Sequence, residues 1–100
     1  MKILIVDDER SIRNSLKEIL EMEEYQMDTA ENGADACEMA EKEKYDAIFC
    51  DIKMPGMDGT EVLQKLIADG VETPVVMISG HADIDTAVDC IKKGAFDFIQ

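Results

Sequence analysis

Short apolar runs alternate with helix-like patterns along the whole chain, and this alternation restricts the possible folds more than any other feature. The segments that fit strands are residues 2–6, 45–50, 75–78 and 96–100, with a weaker strand pattern at residues 25–30. Between them, apolar residues recur every three or four positions, as in Ile12, Leu16 and Ile19. The order β-α-β-α-β-α-β-α-β predicts a parallel sheet, because a helix connects each strand to the next and lets both strands run in the same direction.

We expect an open α/β sheet of the flavodoxin-like kind, with strand order 2-1-3-4-5 and helices on both faces. In this order the first and third strands are neighbours, about 4.8 Å apart. Their carboxyl ends meet where the strand order reverses, which is where open α/β sheets bind ligands. A chain of 100 residues, 46% of them hydrophobic, is sufficient for one such domain with a packed core.

Three acidic residues follow the first and third predicted strands. Asp7 and Asp8 come directly after the first strand, and Asp51 ends the apolar run of the third. A single aspartate there is usually a turn or capping residue, but three acids in one cleft repel one another unless a cation or a proton offsets their charge. Mg²⁺ fits best, because it is held by one or two carboxylates, keeps several waters and accepts a phosphate oxygen.

A carboxylate beside Mg²⁺ can act as a nucleophile toward phosphorus. Attack by Asp51 would form an aspartyl phosphate, and the metal would reduce the repulsion between the acid and the incoming phosphoryl group. Ser79 ends the fourth predicted strand, and its hydroxyl could donate to a phosphoryl oxygen. An acidic pair after a strand is weak evidence alone, whereas these features in this order form a specific combination.

The composition disfavours several classes of partner. The formal net charge is −13, with 23 acidic residues against 10 Lys and Arg, so direct binding to nucleic acid is not expected. Cys37, Cys50 and Cys90 have no zinc or redox spacing, which favours buried free thiols in a reducing cytoplasm. The first apolar run is too short for a signal peptide or a membrane span.

Four segments together make the chain resemble the receiver domain of two-component response regulators. They are residues 3–9, 51–59, 75–81 and 94–99. The resemblance implies a switch rather than a turnover enzyme, with a histidine kinase as the source of the phosphoryl group on Asp51. Residues 79–98 most resemble receivers of the NtrC type, which implies an output domain that controls transcription.

The resemblance also assigns the metal ligands. It implies that Asp8 and Asp51 bind Mg²⁺ directly and that the backbone carbonyl of Lys53 is a further protein ligand. Asp7 would contribute either directly or through a water molecule. These assignments agree with the acidic cleft expected from the strand order.

Two further residues are assigned to the switch by the same resemblance. Ser79 would move toward the phosphoryl group, and Phe98 would be the aromatic side chain whose rotamer follows that movement. The surface around the fourth helix and fifth strand would then change between two states that a partner or a second copy reads. His81 occupies a position that influences the lifetime of the phosphoryl group in this family.

The chain stops at Gln100, one position before the Lys-Pro pair and fifth helix that the resemblance leads us to expect. We therefore interpret residues 1–100 as a receiver domain truncated at its C-terminus. Without that helix, apolar side chains of several strands would be exposed over a larger area than monomers tolerate. We expect self-association through that sheet face or through the surface of the fourth helix and fifth strand.

Three other functions stay open on the sequence alone. A small Mg²⁺-dependent phosphohydrolase would also use an aspartyl phosphate, but such enzymes carry Asp-x-Asp after the first strand, where this chain has Asp7, Asp8 and Glu9. An FMN-binding module would need a hydroxyl- and Gly-rich loop there, and three acids would repel the FMN phosphate. A structural pseudo-receiver would bind no Mg²⁺.

Overall fold

The computed structural model describes residues 1–78 and 84–99. Its strands are β1 (Lys2–Val6), β2 (Gln26–Ala30), β3 (Ala47–Asp51), β4 (Val75–Ile78) and β5 (Asp97–Ile99). Its helices are α1 (Arg10–Met22), α2 (Gly33–Lys42), α3 (Gly59–Ala68) and α4 (Ile84–Lys92). The predicted alternation is confirmed. The third strand starts two residues later than predicted and includes Asp51, because Asp51 still pairs with Ile78 of β4.

The five strands are parallel and lie in the order β2-β1-β3-β4-β5, which confirms the predicted topology. Val6, the last residue of β1, is in register with Cys50 of β3. The residues that follow these two positions are therefore neighbours at the carboxyl edge of the sheet. This register brings the acids after β1 next to the acid that ends β3.

One contiguous core lies between one face of the sheet and α2, α3 and α4. The sheet contributes alternate residues of its inner strands, and the helices contribute their apolar faces. The fully buried side chains of this core include Leu4, Val6, Ile48, Cys50, Val62, Leu63, Leu66, Met77, Cys37 and Cys90. Cys37, Cys50 and Cys90 are free thiols inside this core, as predicted.

The helix α1 packs on the opposite face, against β1 and β2. All of its residues are described, and none of them is buried. The exposed apolar surface differs from the bare strands that we expected, because Ile3 and Ile5 of β1 are only 2% and 1% exposed beneath α1. Exposed apolar side chains lie mainly on the helices and around β5, as with Met22 of α1 at 83% and Phe96 just before β5 at 72%.

A polar network closes the amino end of the sheet around Tyr45. The Tyr45 hydroxyl lies 2.6 Å from Oδ2 of Asp28 and 3.2 Å from Oε2 of Glu43. The ammonium group of Lys2 lies 2.5 Å from Glu43 and 3.6 Å from Asp28. Burial and then the hydrogen bond to Asp28 raise the pKa of Tyr45, while the same bond leads the causes that lower the pKa of Asp28.

We expect Tyr45→Phe to lower the free energy of unfolding by about 1–2 kcal/mol at pH 7, because it removes a hydrogen bond to a charged group. Since the pKa of folded Asp28 is lowered, this stabilisation exists above the unfolded pKa of Asp28 and disappears as the pH falls through the folded value. Urea unfolding at several pH values measures both effects. Tyr25→Phe is the control, because no hydroxyl hydrogen bond of Tyr25 is seen within residues 1–78 and 84–99. Equal losses in both variants would contradict the prediction.

Candidate metal centre

Three carboxylates meet at the carboxyl edge of the sheet. Asp7, Asp8 and Asp51 each offer one oxygen, and these oxygens all lie within 4.8 Å of one another. Asp7 is buried and Asp51 is half-buried, whereas Asp8 is exposed to solvent. A set of three hard oxygen donors that is open on one side fits a divalent cation that keeps part of its water shell.

The cluster is electrostatically unfavourable when no cation is bound. Burial, followed by the charges of Asp7 and Asp8, raises the pKa of Asp51 to about 6, against the opposing effect of the backbone N–H groups of Ile52 and Lys53. Burial also raises the pKa of Asp7, against the opposing effect of its hydrogen bond from the Glu9 N–H at 2.9 Å. Raised carboxyl pKa values show that the folded protein disfavours this much negative charge, so a bound cation would relieve the repulsion.

The loop after β3 returns to Asp51 and fixes its backbone. Asp58 caps α3 by accepting hydrogen bonds from the Glu61 N–H at 3.0 Å and the Thr60 hydroxyl at 2.7 Å. The N–H of Gly59 donates to the Ile52 carbonyl at 2.7 Å. A Cβ on Gly59 would overlap the carbonyl oxygen of Asp51. The helix α3 therefore starts in direct contact with the end of β3, which only glycine permits.

Sequence reasoning missed a contact of Arg13 with the site. Arg13 is half-buried in the first part of α1, and its Nη1 donates to the backbone carbonyl of Asp7 at 2.7 Å. One signal was present in the sequence, because side chains on a helix point back toward its N-terminus. An arginine in the first turns of α1 can therefore reach the acidic turn that precedes the helix. The close approach of Gly59 had no comparable local signal.

The other predicted site residues have different surroundings. Lys53 is exposed, and its backbone N–H is among the groups that act to lower the pKa of Asp51. Phe98 is half-buried on β5, is in register with Met77 of β4 and packs against the core. Ser79 and His81 lie outside the described residues.

The sequence model of one domain family, the response regulator receiver domain, matches residues 3–100. The chain belongs to the response regulator receiver domain family. As a receiver it is a phospho-acceptor switch domain of a two-component response regulator, and domains of this family act as signalling switches that control an output domain.

Two curated relatives show the subfamily. The nitrogen assimilation regulatory protein NtrX of Azorhizobium caulinodans is 45% identical over 100 residues, which cover 98% of this chain and 22% of the relative. The regulatory protein AtoC of Escherichia coli is 34% identical over 98 residues, covering 98% of this chain and 21% of AtoC. The chain spans about a fifth of these relatives, and their similarity supports a receiver of the NtrC type.

Solved receiver domains have the same fold. The receiver domain of NtrX from Brucella abortus is 40% identical with a TM-score of 0.89, covering 97% of this chain and 82% of that chain. The receiver domain of the Francisella response regulator 1452 is 27% identical with a TM-score of 0.93, covering 99% and 83%. Within the part of this receiver that the structure describes, no helix has the length and apolar character needed to cross a bilayer.

Proposed function

We propose that residues 1–100 form one receiver domain in which Asp51 accepts a phosphoryl group from a histidine kinase. Mg²⁺ would be held by Asp7, Asp8 and Asp51 together with the backbone carbonyl of Lys53. The observation that carries this proposal is the meeting of three carboxylate oxygens within 4.8 Å at the adjacent ends of β1 and β3. When bound, Mg²⁺ supplies charge neutralisation and a ligand position for a phosphoryl oxygen.

The residues of this chain support the transfer by position and charge. Asp51 has a pKa of about 6, so its carboxylate is mostly ionised at neutral pH. An Asp51 oxygen would form a bond to phosphorus while the bond from phosphorus to the donor breaks, and the donor leaves with the electron pair. The close approach of Gly59 to the end of β3 would help to keep the backbone of Asp51 in place during this step.

The response to phosphorylation would pass to one surface. We propose that Ser79 and Phe98 bias the surface formed by α4 and β5, and that an output domain or a second copy of the chain reads it. Exposed apolar side chains on this surface support such a contact; they are Val88, Ile91 and Phe96, at 46%, 47% and 72% exposure. The buried free thiols fit a reducing compartment, and we propose action in the cytoplasm.

Incubation with a small-molecule phosphodonor tests the proposal. We expect intact-protein mass spectrometry to show one added phosphoryl group per chain when Mg²⁺ is present and none when a chelator replaces it. Asp51→Asn should abolish the addition, whereas Asp85→Asn, a change to an exposed aspartate on α4, should leave it intact. Modification that persists in Asp51→Asn, or that does not need Mg²⁺, would contradict the proposal, as would a wild-type chain that takes up no phosphoryl group.

A further inference from the structure

We propose that Arg13 is a positioning residue that holds the acidic turn after β1 in the geometry a divalent cation needs. This inference rests on the proposed metal site. Its starting observation is the hydrogen bond from Nη1 of Arg13 to the backbone carbonyl of Asp7, at 2.7 Å. The side chain crosses from α1 to the turn, so it joins the helix to the strand end that carries two of the three acids.

The bond acts on a part of the turn that no other hydrogen bond among residues 1–78 and 84–99 is seen to reach. The N–H of Asp7 donates to the Ala30 carbonyl at 3.1 Å, which ties the turn to β2. The N–H of Glu9 donates to Oδ1 of Asp7 at 2.9 Å, which orients that carboxylate. Neither bond fixes the peptide plane between Asp7 and Asp8, whereas a donor to the Asp7 carbonyl oxygen does.

That peptide plane sets the direction of Asp8. The carbonyl oxygen of Asp7 and the N–H and Cα of Asp8 lie in one plane, so a guanidinium that holds the oxygen also holds the start of Asp8. Asp8 is exposed and gains little from packing. Its carboxylate therefore depends on the backbone for its place beside Asp51. If the Asp8 carboxylate is already in place before a cation binds, binding loses less conformational entropy.

The charges around Arg13 show why a hydrogen bond, rather than charge alone, gives it this role. A cavity of about 430 Å³ beside Arg13 is also lined by Glu31, Asp35, Glu38 and Lys42. Acids that follow β2 and acids of α2 thus share this cavity with Arg13. The hydrogen bond to the Asp7 carbonyl is the contact that connects Arg13 to the metal site. The planar guanidinium donates in a fixed direction, so it suits a bond that must orient a peptide plane.

The test compares Arg13→Met with Lys17→Met, which removes the same charge from an exposed position on the same helix. Arg13→Lys keeps the charge and loses the fork. Mg²⁺ affinity is measured by following backbone amide resonances during titration, and amide hydrogen exchange at Glu9 is measured without metal. We expect Arg13→Met to weaken Mg²⁺ binding about tenfold, as loss of a group that orients a metal ligand does. Arg13→Lys should fall between Arg13→Met and the wild type, and Lys17→Met should match the wild type.

Faster exchange at Glu9 in Arg13→Met, with wild-type exchange in Lys17→Met, would support the role independently of the metal. Equal Mg²⁺ affinities in Arg13→Met and Lys17→Met would overturn it, and so would tighter binding in Arg13→Met, which would show that Arg13 acts by repelling the cation. If the wild type binds no Mg²⁺, the proposed metal site fails. The exchange at Glu9 then still decides whether Arg13 holds the turn. Should Arg13→Met not fold, Arg13→Lys gives the same two readouts.

Discussion

Asp51→Asn should make the metal-free protein more stable by about 1–2 kcal/mol at pH 7. Burial and the charges of Asp7 and Asp8 raise the pKa of Asp51 from 3.8 to about 6. A shift of about two pKa units corresponds to roughly 3 kcal/mol, and we reduce this because the half-buried group is partly screened by solvent. Asparagine has nearly the same shape and carries no charge, so the variant removes the repulsion while keeping the packing.

The pH dependence follows from the sign of that shift. Folded Asp51 binds its proton more tightly than unfolded Asp51, so the wild type loses stability as the pH rises from about 4 to about 6 and changes little above that. The gain in free energy of unfolding of Asp51→Asn over the wild type should appear over the same pH interval. Added Mg²⁺ should reverse the order, because the wild type gains the free energy of binding a ligand that the variant binds weakly.

Urea unfolding of both proteins, with and without Mg²⁺ and across this pH range, measures the effect. Asp85→Asn is again the matched control, since it removes a carboxylate from the surface of α4. A metal-free Asp51→Asn protein that is less stable than the wild type at pH 7 would contradict the prediction. It would mean that the Asp51 carboxylate stabilises the fold through contacts other than a cation.

Gly59→Ala should lower the free energy of unfolding by about 2–3 kcal/mol, although alanine is the better helix former by about 1 kcal/mol. Gly59 is the first residue of α3, and a Cβ there would overlap the Asp51 carbonyl oxygen and lie 2.7 Å from the Cα of Ile52. Both neighbours are backbone at the end of β3, so they cannot rotate away as a side chain would. Relief requires a shift of α3 or of the strand end.

Gly70→Ala is the control for Gly59→Ala, because its destabilisation comes from backbone conformation and not from a steric overlap. At Gly70, φ is +79° and a Cβ would meet no atom within 4 Å, so Gly70→Ala should cost about 1–2 kcal/mol from backbone conformation alone. Only Gly59→Ala should also weaken Mg²⁺ binding, because it displaces the backbone of Asp51. Thermal unfolding and Mg²⁺ titration of the two variants separate the effects. A Gly59→Ala protein more stable than the wild type would show that helix propensity outweighs the contact.

Features with local signals were predictable from the sequence. The inner strands β1, β3 and β4 are short apolar runs, so the alternation and then the strand order could be derived, and with them the neighbourhood of Asp7, Asp8 and Asp51. The contact of Gly59 with β3 joins a helix start to a strand end across a loop, and composition carries no sign of it. The bond of Arg13 depends on a side-chain conformation that periodicity does not specify.

The solvent exposure of α1 determines how a bound cation would affect the stability of that helix. Since no residue of this fully described helix is buried, α1 should detach at a lower free energy than is needed to unfold the whole molecule. Asp8 lies just before this weakly held unit and Arg13 within it, whereas Asp51 belongs to the firmly packed sheet. A cation that bridges Asp8 and Asp51 would therefore tie the two units together, and local opening of α1 would become rarer in proportion to how tightly the ion is held.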